Sequence, residues 1–463
     1  MVMKSLNHIQ GKNGSEWGQF IRETGTESIL LVAIDAAKYT HAFTIANYFG
    51  DILKKPCEFD ASLTGFNWLK QEVNVLKKQY QMKAVVVGIE TTGHYYEDLV
   101  RWCQNEGFYV RTINSATTAE ERKALLNYSK TDNIDLMVIL QAIIHGRGTF
   151  NELPSGKIYH LQRLTRARRE LVCERTALQN HIRVYMDQIF REFQGKSIWI
   201  EGKRKHVQPF STIFGKTGCY LMRHFPHPSD IISLGVEGLR SLSQRENLKI
   251  RDTSIQLLVE FAEQSISQPK EELKEQIFLL SLSLDRLELF NEQITCLEER
   301  IEDLFIQTPG AVLLSIPGIG AINGAEFCAE LGDISDFDHA GQLIKMAGTN
   351  PIIKQSGGRN PTYHRISKQG RRPLRNITFQ VGKSISINNP EMRQKYLALK
   401  ERGKHTNQAY VAIGNRMIRL AFSMIKKQTL YQSKQESYVL QNEIKKKLHK
   451  QNVLQFFEKI VAI

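Results

Sequence analysis

The sequence predicts an α/β domain at the N-terminus followed by a mainly helical remainder, and three observations carry this prediction. Two apolar runs, at residues 29–34 and 84–89, are too short to cross a membrane and rich in β-branched residues, which indicates buried central strands. A helix-like stretch over 96–105 and a third strand over 109–113 follow, and strand–helix–strand alternation is typical of an α/β sheet. Beyond about residue 158 the pattern becomes that of long amphipathic helices.

Each of the two central strands ends in an acid. Asp35 follows the first run directly, and residues 41–46 resume as an antiparallel partner strand after a short turn. Glu90 ends the second run in the same way. The sequence therefore predicts two carboxylates at the ends of two buried strands.

Two further acids, Asp132 and Asp135, precede an apolar stretch that continues as a helix. Their spacing of three places both on one helix face, so both can point at the edge of the sheet. Four converging carboxylates repel one another unless a cation neutralises them, and an all-oxygen ligand set suits Mg²⁺ or Mn²⁺. Two such ions can activate an attacking oxygen and stabilise the leaving oxygen of a phosphodiester. Ordinary strand-end and helix-capping acids are the alternative interpretation of any one of the four.

The composition indicates a polyanionic partner. The chain of 463 residues has 62 Lys and Arg against 48 Asp and Glu, a formal net charge of +14 and a pI near 9.3, values typical of proteins that neutralise phosphates. The length predicts two or three domains. Neither a signal peptide nor a long apolar stretch is evident, so we expect a soluble, intracellular protein without a membrane partner. The six cysteines have no paired spacing, which argues against a zinc site or a disulfide framework.

Two long helices are predicted after the α/β domain. The first begins near residue 158, and its start is crowded with basic residues that include Arg166 and Arg169. The second runs from about residue 271 to 305, and the pattern fits both a hairpin within one chain and a coiled coil between subunits. Between them, residues 195–268 are predicted to be a helical insert without chemistry of its own.

A Pro-Gly-Ile-Gly sequence at residues 317–320 lies between two helical patterns. It predicts the turn of a helix-hairpin-helix, in which the backbone N–H groups around Gly318 and Gly320 can bind a DNA phosphate. An ordinary glycine-rich connection between helices is the alternative.

Residues 339–390 contain no Asp or Glu but nine Lys or Arg. A segment of this length without acids is expected to lie against nucleic acid. Lys130, Arg166 and Arg169 are further candidates for such contacts. The nine basic residues of the segment are Lys345, Lys354, Arg359, Arg365, Lys368, Arg371, Arg372, Arg375 and Lys383.

Within this basic segment, Ser356 and Gly357 belong to a Gln-Ser-Gly-Gly turn that could present a hydroxyl to a phosphate. A serine hydroxyl needs a base, a metal or strong electrostatic activation to act as a nucleophile. His364 is the nearest histidine in sequence, but its spacing does not identify it as the base. The residues alone leave open whether Ser356 is a nucleophile, a phosphate ligand or a turn residue, with Ser367 as its nearest rival.

The chain resembles the IS-one-ten family of insertion-sequence transposases, bridge-RNA-guided recombinases that join an N-terminal RuvC-like DEDD domain to a C-terminal serine transposase domain. The resemblance covers roughly residues 29 to 425, in the order of the family's motifs. It rests on Ile34-Asp35, Gly88-Ile89-Glu90-Thr91-Thr92-Gly93-His94-Tyr95, Ser129-Lys130-Thr131-Asp132-Asn133-Ile134-Asp135, Ile316-Pro317-Gly318-Ile319-Gly320, Ser356-Gly357, Ile366-Ser367-Lys368-Gln369-Gly370 and Leu374-Arg375.

The resemblance implies specific roles for these residues. The family's metal-binding tetrad falls on Asp35, Glu90, Asp132 and Asp135, and its nucleophilic serine falls on Ser356. It also implies an RNase H-like first domain, a covalent phosphoserine link to DNA, and a structured guide RNA that pairs with donor and target duplexes. Dimers that pair into a tetramer are implied as well, with the acids of one subunit completing the serine site of another, in a prokaryotic cytoplasm close to the nucleoid.

The matched motifs and the change in composition predict five segments along the chain. A flexible N-terminal arm over 1–28 precedes a RuvC-like domain over 29–157. A helical, coiled-coil domain over 158–308, a serine transposase domain over 309–430 and a tail over 431–463 follow.

Three rival functions use parts of the same pattern. A metal-dependent junction nuclease would use the four acids but hydrolyse with water, leaving Ser356 dispensable. A non-enzymatic nucleic-acid binder would keep the basic surface and tolerate loss of the acids. An actin-like ATPase would need glycine-rich phosphate loops, and none follows Asp35.

Overall fold

The computed structural model describes residues 12–91, 93–124, 131–150, 153, 155–200, 203–354 and 362–432. The chain forms two compact units. The first unit consists of residues 1–156 together with 332–346 and 352–362, and the second consists of 157–331, 347–351 and 363–463.

The first unit is built on a mixed five-stranded sheet with the strand order β3-β2-β1-β4-β5. The first three strands are antiparallel neighbours, and β4 and β5 extend the sheet in parallel with β1. Five α-helices belong to the described residues between 12 and 144 of the same unit. The strands are β1 Ile29–Asp35, β2 Thr40–Asn47, β3 Ile52–Asp60, β4 Ala84–Glu90 and β5 Tyr109–Ile113; the helices are α1 Lys12–Thr24, α2 Leu63–Gln79, α3 Tyr96–Asn105, α4 Ser115–Ala124 and α5 Asp132–Ile144.

Strand β1 is apolar along its length because both faces of the sheet are covered. Leu30 and Val32 belong to one core cluster, which also contains buried residues of α2 and α3. Leu31 and Ala33 belong to the opposite cluster, which contains buried residues of α5. Successive strand residues point to opposite faces, so a strand buried on both sides lacks polar alternation. The predicted α/β domain is therefore confirmed as a mixed α/β sheet domain.

Gly88, in the middle of β4, allows α5 to pack closely on the sheet. A Cβ atom at this position would lie 2.3 Å from Cδ1 of Ile143 and 3.2 Å from Cγ2 of Ile139. Glycine inside a strand commonly marks such a close approach. The position of α5 matters because its first turn carries two of the predicted ligand residues.

The stretch predicted as a flexible N-terminal arm contains a packed helix, so that expectation is wrong for residues 12–24. Trp17 on α1 is 3% exposed and stacks on Phe20 with ring centroids 5.7 Å apart. Trp17 belongs to the core cluster on the α5 side of the sheet. The apolar residues around Trp17 are few, so the local pattern does not indicate a buried helix face there.

Arg111 is a fully buried cation in the first unit, and it connects β5 to the turn after α5. Its guanidinium donates to the carbonyl oxygens of Arg147 at 2.7 Å, Gly146 at 2.8 Å and Gly148 at 2.9 Å. It lies 4.1 Å from the ring centroid of Phe150. Burial lowers the pKa of Arg111 to about 10. The side chain is therefore a structural link that fixes the chain immediately after α5.

The remainder of the chain is mainly helical, as predicted. Among all the described residues of the chain, no helix is long and apolar enough to cross a membrane. In chain order the elements are α6 Gly156–Ile189, β6 Lys196–Ile200, β7 Lys203–Val207, α7 Lys216–His224, α8 Pro228–Arg245, α9 Asp252–Glu263, α10 Lys274–Phe305, α11 Ala321–Leu331, α12 Ala340–Ala347, β8 Pro351–Lys354, β9 Thr362–Ile366, α13 Arg372–Asn388, α14 Pro390–Glu401 and α15 Thr406–Lys427.

The two long helices α6 and α10 pack antiparallel within the chain. Arg168 Nε donates to Glu298 Oε1 at 2.7 Å, and Arg175 Nη1 donates to Asn291 Oδ1 at 3.0 Å. Farther along α6, buried apolar residues share one core cluster with buried residues of α10 and of α7 to α9. Of the two predicted arrangements, the hairpin within one chain is present.

The segment over 195–268 was predicted to be helical, and this prediction is wrong in part. It contains α7, α8 and α9, but β6 and β7 pair antiparallel ahead of them. Lys and Arg residues dominate β7, and their charges hide the strand pattern because strand prediction rests on apolar and β-branched side chains.

Candidate active site

Asp35 and Glu90 end two neighbouring parallel strands. In the register of β1 and β4, Ile34 lies opposite Ile89, so the acid that follows each of them reaches the same edge of the sheet. Glu90 is buried at 8% exposure, and Asp35 is half-buried. Two of the four predicted ligand residues are therefore brought side by side by the strand pairing alone.

Asp132 and Asp135 lie in the first turn of α5. Thr131 caps this helix, because its hydroxyl oxygen accepts a hydrogen bond from the backbone N–H of Ile134 at 3.3 Å. The positive end of the helix dipole favours acids at this place. Asp135 is buried at 3% exposure, whereas Asp132 is exposed. Helix α5 packs against β1 and β4, and within its first turn Asp135 is buried while Asp132 stays at the surface.

Helix α4 supplies two partners for the buried carboxylates. Thr118 Oγ1 donates to Glu90 Oε1 at 3.1 Å. One turn later, Arg122 forms an ion pair with Oδ1 of Asp135. Residues four apart lie on the same face of a helix, so one face of α4 contacts both acids. Sequence reasoning missed Thr118 and Arg122, because no local pattern shows which residues a helix turns toward a site.

The oxygen donors of this edge fit a hard divalent cation in their chemistry. In the described residues, however, no group of three or more acidic, histidine or cysteine side chains is arranged to hold a metal ion. Arg122 supplies the positive charge at Asp135 in this arrangement. A metal ion held by all four acids would therefore lie close to the Arg122 guanidinium, and the two cations would repel each other.

A third buried acid, Glu121, lies beside this group and is already neutralised. Arg147 Nε donates to its Oε1 at 3.2 Å, and His145 Nδ1 lies 3.1 Å from its Oε2. Glu121 is 7% exposed. The pairing links α4 to the end of α5 and gives Glu121 a structural role.

The predicted nucleophile lies outside the described residues. That nucleophile is Ser356, and the predicted nucleic-acid contacts Gly357, Arg359 and Lys130 also lie outside the described residues. The backbone of Lys354 ends β8, but its side chain is not among those described.

The rival serine, Ser367, has a defined structural contact. Its hydroxyl donates to Asn350 Oδ1 at 2.7 Å, and its backbone N–H donates to the Asn350 carbonyl at 2.9 Å. The side chain is half-buried. Ser367 thus ties the segment after β9 to the segment before β8.

The basic residues over 365–375 divide into two groups. Arg365, Lys368, Arg371 and Arg372 are exposed. Arg375 is half-buried, and its Nη1 lies within hydrogen-bond distance of the carbonyl oxygens of Lys368 and Ala347, at 3.2 Å and 3.3 Å. Arg375 therefore supports the backbone that carries the exposed cations.

The glycine turn predicted as a helix-hairpin-helix is preceded by a 3-10 helix, Pro309–Ser315, and not by an α-helix. Gly318 has a positive φ of 94°, and a Cβ there would lie 3.0 Å from Cβ of Asn388 on α13. Its carbonyl oxygen accepts a hydrogen bond from Ser384 Oγ at 2.7 Å. Gly320, by contrast, is exposed at the start of α11 with no atom near its Cβ position. Gly318 thus serves packing, and the phosphate contact at the exposed Gly320 stays a prediction.

The basic start of α6 has acidic partners on α11. Arg166 holds Glu330 through two hydrogen bonds, Nε to Oε1 at 2.7 Å and Nη2 to Oε2 at 3.0 Å. Arg169 pairs with Glu326. Both acids are buried, at 0% and 7% exposure respectively. These arginines neutralise buried carboxylates, and a contact of either one with nucleic acid stays a prediction.

The chain combines a mixed α/β domain that has carboxylates at one sheet edge with a basic, mainly helical remainder. This combination is typical of enzymes that process nucleic acids. Comparison with known proteins narrows the class of enzyme to transposases. A family model described as "Transposase", for the DEDD type of IS110, matches residues 32–191. A second, described as "Transposase IS116/IS110/IS902 family", matches residues 310–397. The chain belongs to the IS110 family of insertion-sequence transposases, which confirms the resemblance drawn from its motifs.

Similar proteins carry related names. The insertion element IS116 protein of Streptomyces clavuligerus is 24% identical over 86% of this chain and 95% of its own length. The insertion element IS110 protein of Streptomyces coelicolor is 30% identical over 31% of this chain and 36% of its own length. A pilin gene-inverting protein of Moraxella bovis is 27% identical over 32% of this chain and 48% of its own length.

Proposed function

We propose that this transposase cuts and exchanges DNA strands through a covalent phosphoserine intermediate formed by Ser356, assisted by the carboxylates at the sheet edge. The observation that carries the proposal is that Asp35 and Glu90 end neighbouring parallel strands at one edge of the sheet. Asp135 is buried in the first turn of α5, the helix that packs against both strands. An RNase H-like, RuvC-like domain with a metal-binding tetrad requires acids in such positions.

The carboxylates would act as ligands for Mg²⁺ or Mn²⁺, with Asp35, Glu90 and Asp135 inside and the exposed Asp132 at the rim. A bound ion would polarise the phosphoryl oxygens and neutralise charge as it develops. Thr118 holds Glu90 in one orientation through its hydroxyl. Partner groups that orient a metal ligand commonly change affinity or activity by about 10- to 100-fold when they are removed.

The serine step conserves phosphodiester bonds. Oγ of Ser356 attacks the phosphorus atom and loses its proton to a base, an Oγ–P bond forms, and the ester bond from phosphorus to one deoxyribose oxygen breaks. That oxygen leaves as a hydroxyl after taking up a proton. Attack by a deoxyribose hydroxyl of the other duplex then releases the serine and joins the exchanged strands. Since each step replaces one phosphoester by another, the reaction needs no nucleotide cofactor.

Substrates and partners follow from the same proposal. Donor and target duplexes would be aligned by a structured guide RNA, and dimers would pair into a tetramer in which acids of one subunit complete the serine site of another. The net charge of +14 and the exposed cations Arg365, Lys368, Arg371 and Arg372 support binding of several phosphate backbones. A site completed only on assembly would withhold cleavage until every strand is in place.

The test combines the purified protein, RNA transcribed from the DNA that flanks its gene, Mg²⁺ and labelled donor and target duplexes. Wild type should give a detergent-resistant protein–DNA adduct and exchanged strands. Ser356→Ala and Asp35→Asn should abolish both, while Ser367→Ala keeps the adduct. Asp98→Asn is the matched acid control, because the Asp98 side chain is 89% exposed on α3.

The alternative is a junction nuclease that uses the same acids and hydrolyses with water. It would give cleavage without an adduct, lost in Asp35→Asn but unchanged in Ser356→Ala. Omission of the RNA separates a guided reaction from an unguided one in the same experiment.

A further inference from the structure

A basic β-ribbon lies between the long helix α6 and the short helix α7. Its strands β6 and β7 pair in a continuous antiparallel register from Lys196 opposite Val207 to Ile200 opposite Lys203. The two strands carry four Lys or Arg, against the single acid Glu201 in the connecting sequence. The proposed chemistry assigns no role to this ribbon.

One face of the ribbon is entirely exposed and carries an unusual set of side chains. Trp199 lies directly opposite Arg204, and Ser197 lies directly opposite His206. Residues directly opposite each other in an antiparallel pair share a face. All four are exposed, and Trp199 is 74% exposed. An indole ring, a guanidinium and an imidazole therefore lie together in solvent.

The opposite face of the ribbon anchors it to the unit. Val207 packs against the helical core cluster of α6 to α10. Lys196 Nζ donates to Gln264 Oε1 at 3.2 Å. Because the anchoring residues are on the other face, the face with Trp199 is presented outward without a packing role of its own.

Leaving a large aromatic side chain in water forgoes the free energy that its burial would yield. Trp199 differs in this respect from Trp17, which is 3% exposed, and from Trp68 and Trp102, which are half-buried. An exposed tryptophan among cations matches one ligand chemistry well. Nucleic-acid bases stack on aromatic rings and on guanidinium planes, while phosphates attract the lysines.

We propose that the face formed by Ser197, Trp199, Arg204 and His206 binds unpaired bases of a single-stranded nucleic-acid segment. Trp199 stacks on one base, and Arg204 and His206 contact its neighbour. Lys203 and Lys205 leave β7 toward the other face of the ribbon, and because both are exposed their charges attract the phosphate backbone as it passes the strand. Bases in a duplex already stack on each other, so an indole gains nothing comparable there. A loop of the guide RNA and a DNA strand displaced during exchange both offer this chemistry. The inference rests on the proposed function only in taking nucleic acid as the partner.

The test measures binding of fluorescein-labelled oligouridine, oligodeoxythymidine of equal length and a blunt DNA duplex to the full chain. Trp199→Ala should weaken binding of the single strands by about tenfold, since base–aromatic stacking contributes strongly to such affinities. Trp199→Phe should restore most of it, and duplex binding should be unchanged. Phe278→Ala is the matched control, because Phe278 is an aromatic residue of the same unit that is 57% exposed on α10.

Two further readouts bear on the ribbon directly. Quenching of tryptophan fluorescence by oligouridine should be present in wild type and lost in Trp199→Phe. Lys203→Ala and Lys205→Ala should each reduce the slope of log affinity against log salt concentration by about 0.7. Preference between the two single strands identifies the source of the bases.

Unchanged single-strand binding in Trp199→Ala, or an equal loss of duplex binding, would overturn the inference. Neither outcome touches the serine chemistry, which is scored by adduct formation with Ser356→Ala. Conversely, loss of the adduct mechanism would leave the binding result intact.

Discussion

Arg122 on α4 forms an ion pair with Asp135 at the start of α5, so a guanidinium contacts a carboxylate that the sequence predicts to be a metal ligand. The Asp135 side chain is 4% exposed and that of Arg122 is 18% exposed. A buried carboxylate needs a positive partner, and two cations held at the same carboxylate repel each other. Metal binding and the Arg122 ion pair therefore compete for Asp135.

Replacing Arg122 should strengthen metal binding. In Arg122→Gln, Asp135 loses its cation, and we expect a metal-free protein destabilised by about 3 kcal/mol, as for removal of one partner of a buried ion pair. Mn²⁺ should restore much of this stability, because the freed carboxylate can bind the ion. Thermal unfolding with and without Mn²⁺ measures both effects. Arg101→Gln is the control, because Arg101 pairs with acids on the exposed surface of α3. An equal loss of stability with and without Mn²⁺ would contradict competition between Arg122 and the metal ion for Asp135.

Removing the Thr118 hydroxyl should slow strand exchange without unfolding the protein. Thr118→Val keeps the shape of the side chain but leaves Glu90 Oε1 without its donor at 3.1 Å. We expect a rate lower by about tenfold, because the carboxylate is no longer held in one orientation. The rate of adduct formation checks this at saturating Mg²⁺. Thr149→Val serves as the control, since it removes a similar contact, from Thr149 to the Thr112 hydroxyl at 2.9 Å, on β5. Equal rates in the two variants would refute the role of Thr118.

Stability should fall in mild acid because of His41. The ring is 2% exposed, and its Nδ1 accepts a hydrogen bond from the backbone N–H of Ala37 at 3.2 Å, in the turn that follows Asp35. Burial lowers the pKa of His41 below its ordinary value of 6.5. The unfolded chain therefore takes up the proton first. Stability from this group is complete above pH 6.5 and declines below it, down to the pKa of the folded state.

The decline from His41 should approach about 1.4 kcal/mol per pH unit, the value for uptake of one proton. Chemical denaturation between neutral pH and mild acid measures it. His41→Asn retains an acceptor for Ala37 but cannot titrate in this range, so it should flatten the profile. The same slope in this variant would assign the acid sensitivity to another group.

The pair of Arg166 and Glu330 separates a structural role from a role in binding nucleic acid. Arg166→Ala leaves a buried carboxylate without its partner, and we expect a loss of about 2–3 kcal/mol, less than for a fully buried pair because the Arg166 side chain is 43% exposed. Urea denaturation measures this loss. The double variant Arg166→Leu with Glu330→Leu should regain most of the stability. Wild-type stability in Arg166→Ala would contradict the structural role.

Nucleic-acid affinity of the same double variant tests the prediction made from the sequence. If Arg166 serves only Glu330, the stable double variant binds duplex DNA as wild type does. A stable variant with weakened, less salt-dependent binding would show that the guanidinium also meets a phosphate.

The central strands and the two long helices could be predicted because their signals are local. Residues 29–34 and 84–89 are apolar without interruption, and the periodicity of α6 and α10 persists over many turns. The packed helix α1 and the ribbon of β6 and β7 were missed, because Trp17 stands among polar residues and β7 is mostly basic. A local apolar pattern indicates an element through the residues that it buries. Helix α1 buries few residues, and the ribbon buries none on one of its faces.

The sequence by itself determined the family, the four acids and the basic character of residues 339–390, because residue identity, charge and motif order are properties of the chain. Only the tertiary structure decided that Arg122 and Thr118 contact the acids, and that Arg166 is paired with Glu330. Those contacts join residues that are distant along the chain or lie on separate helices. They depend on how the helices are rotated and packed, which no local spacing specifies.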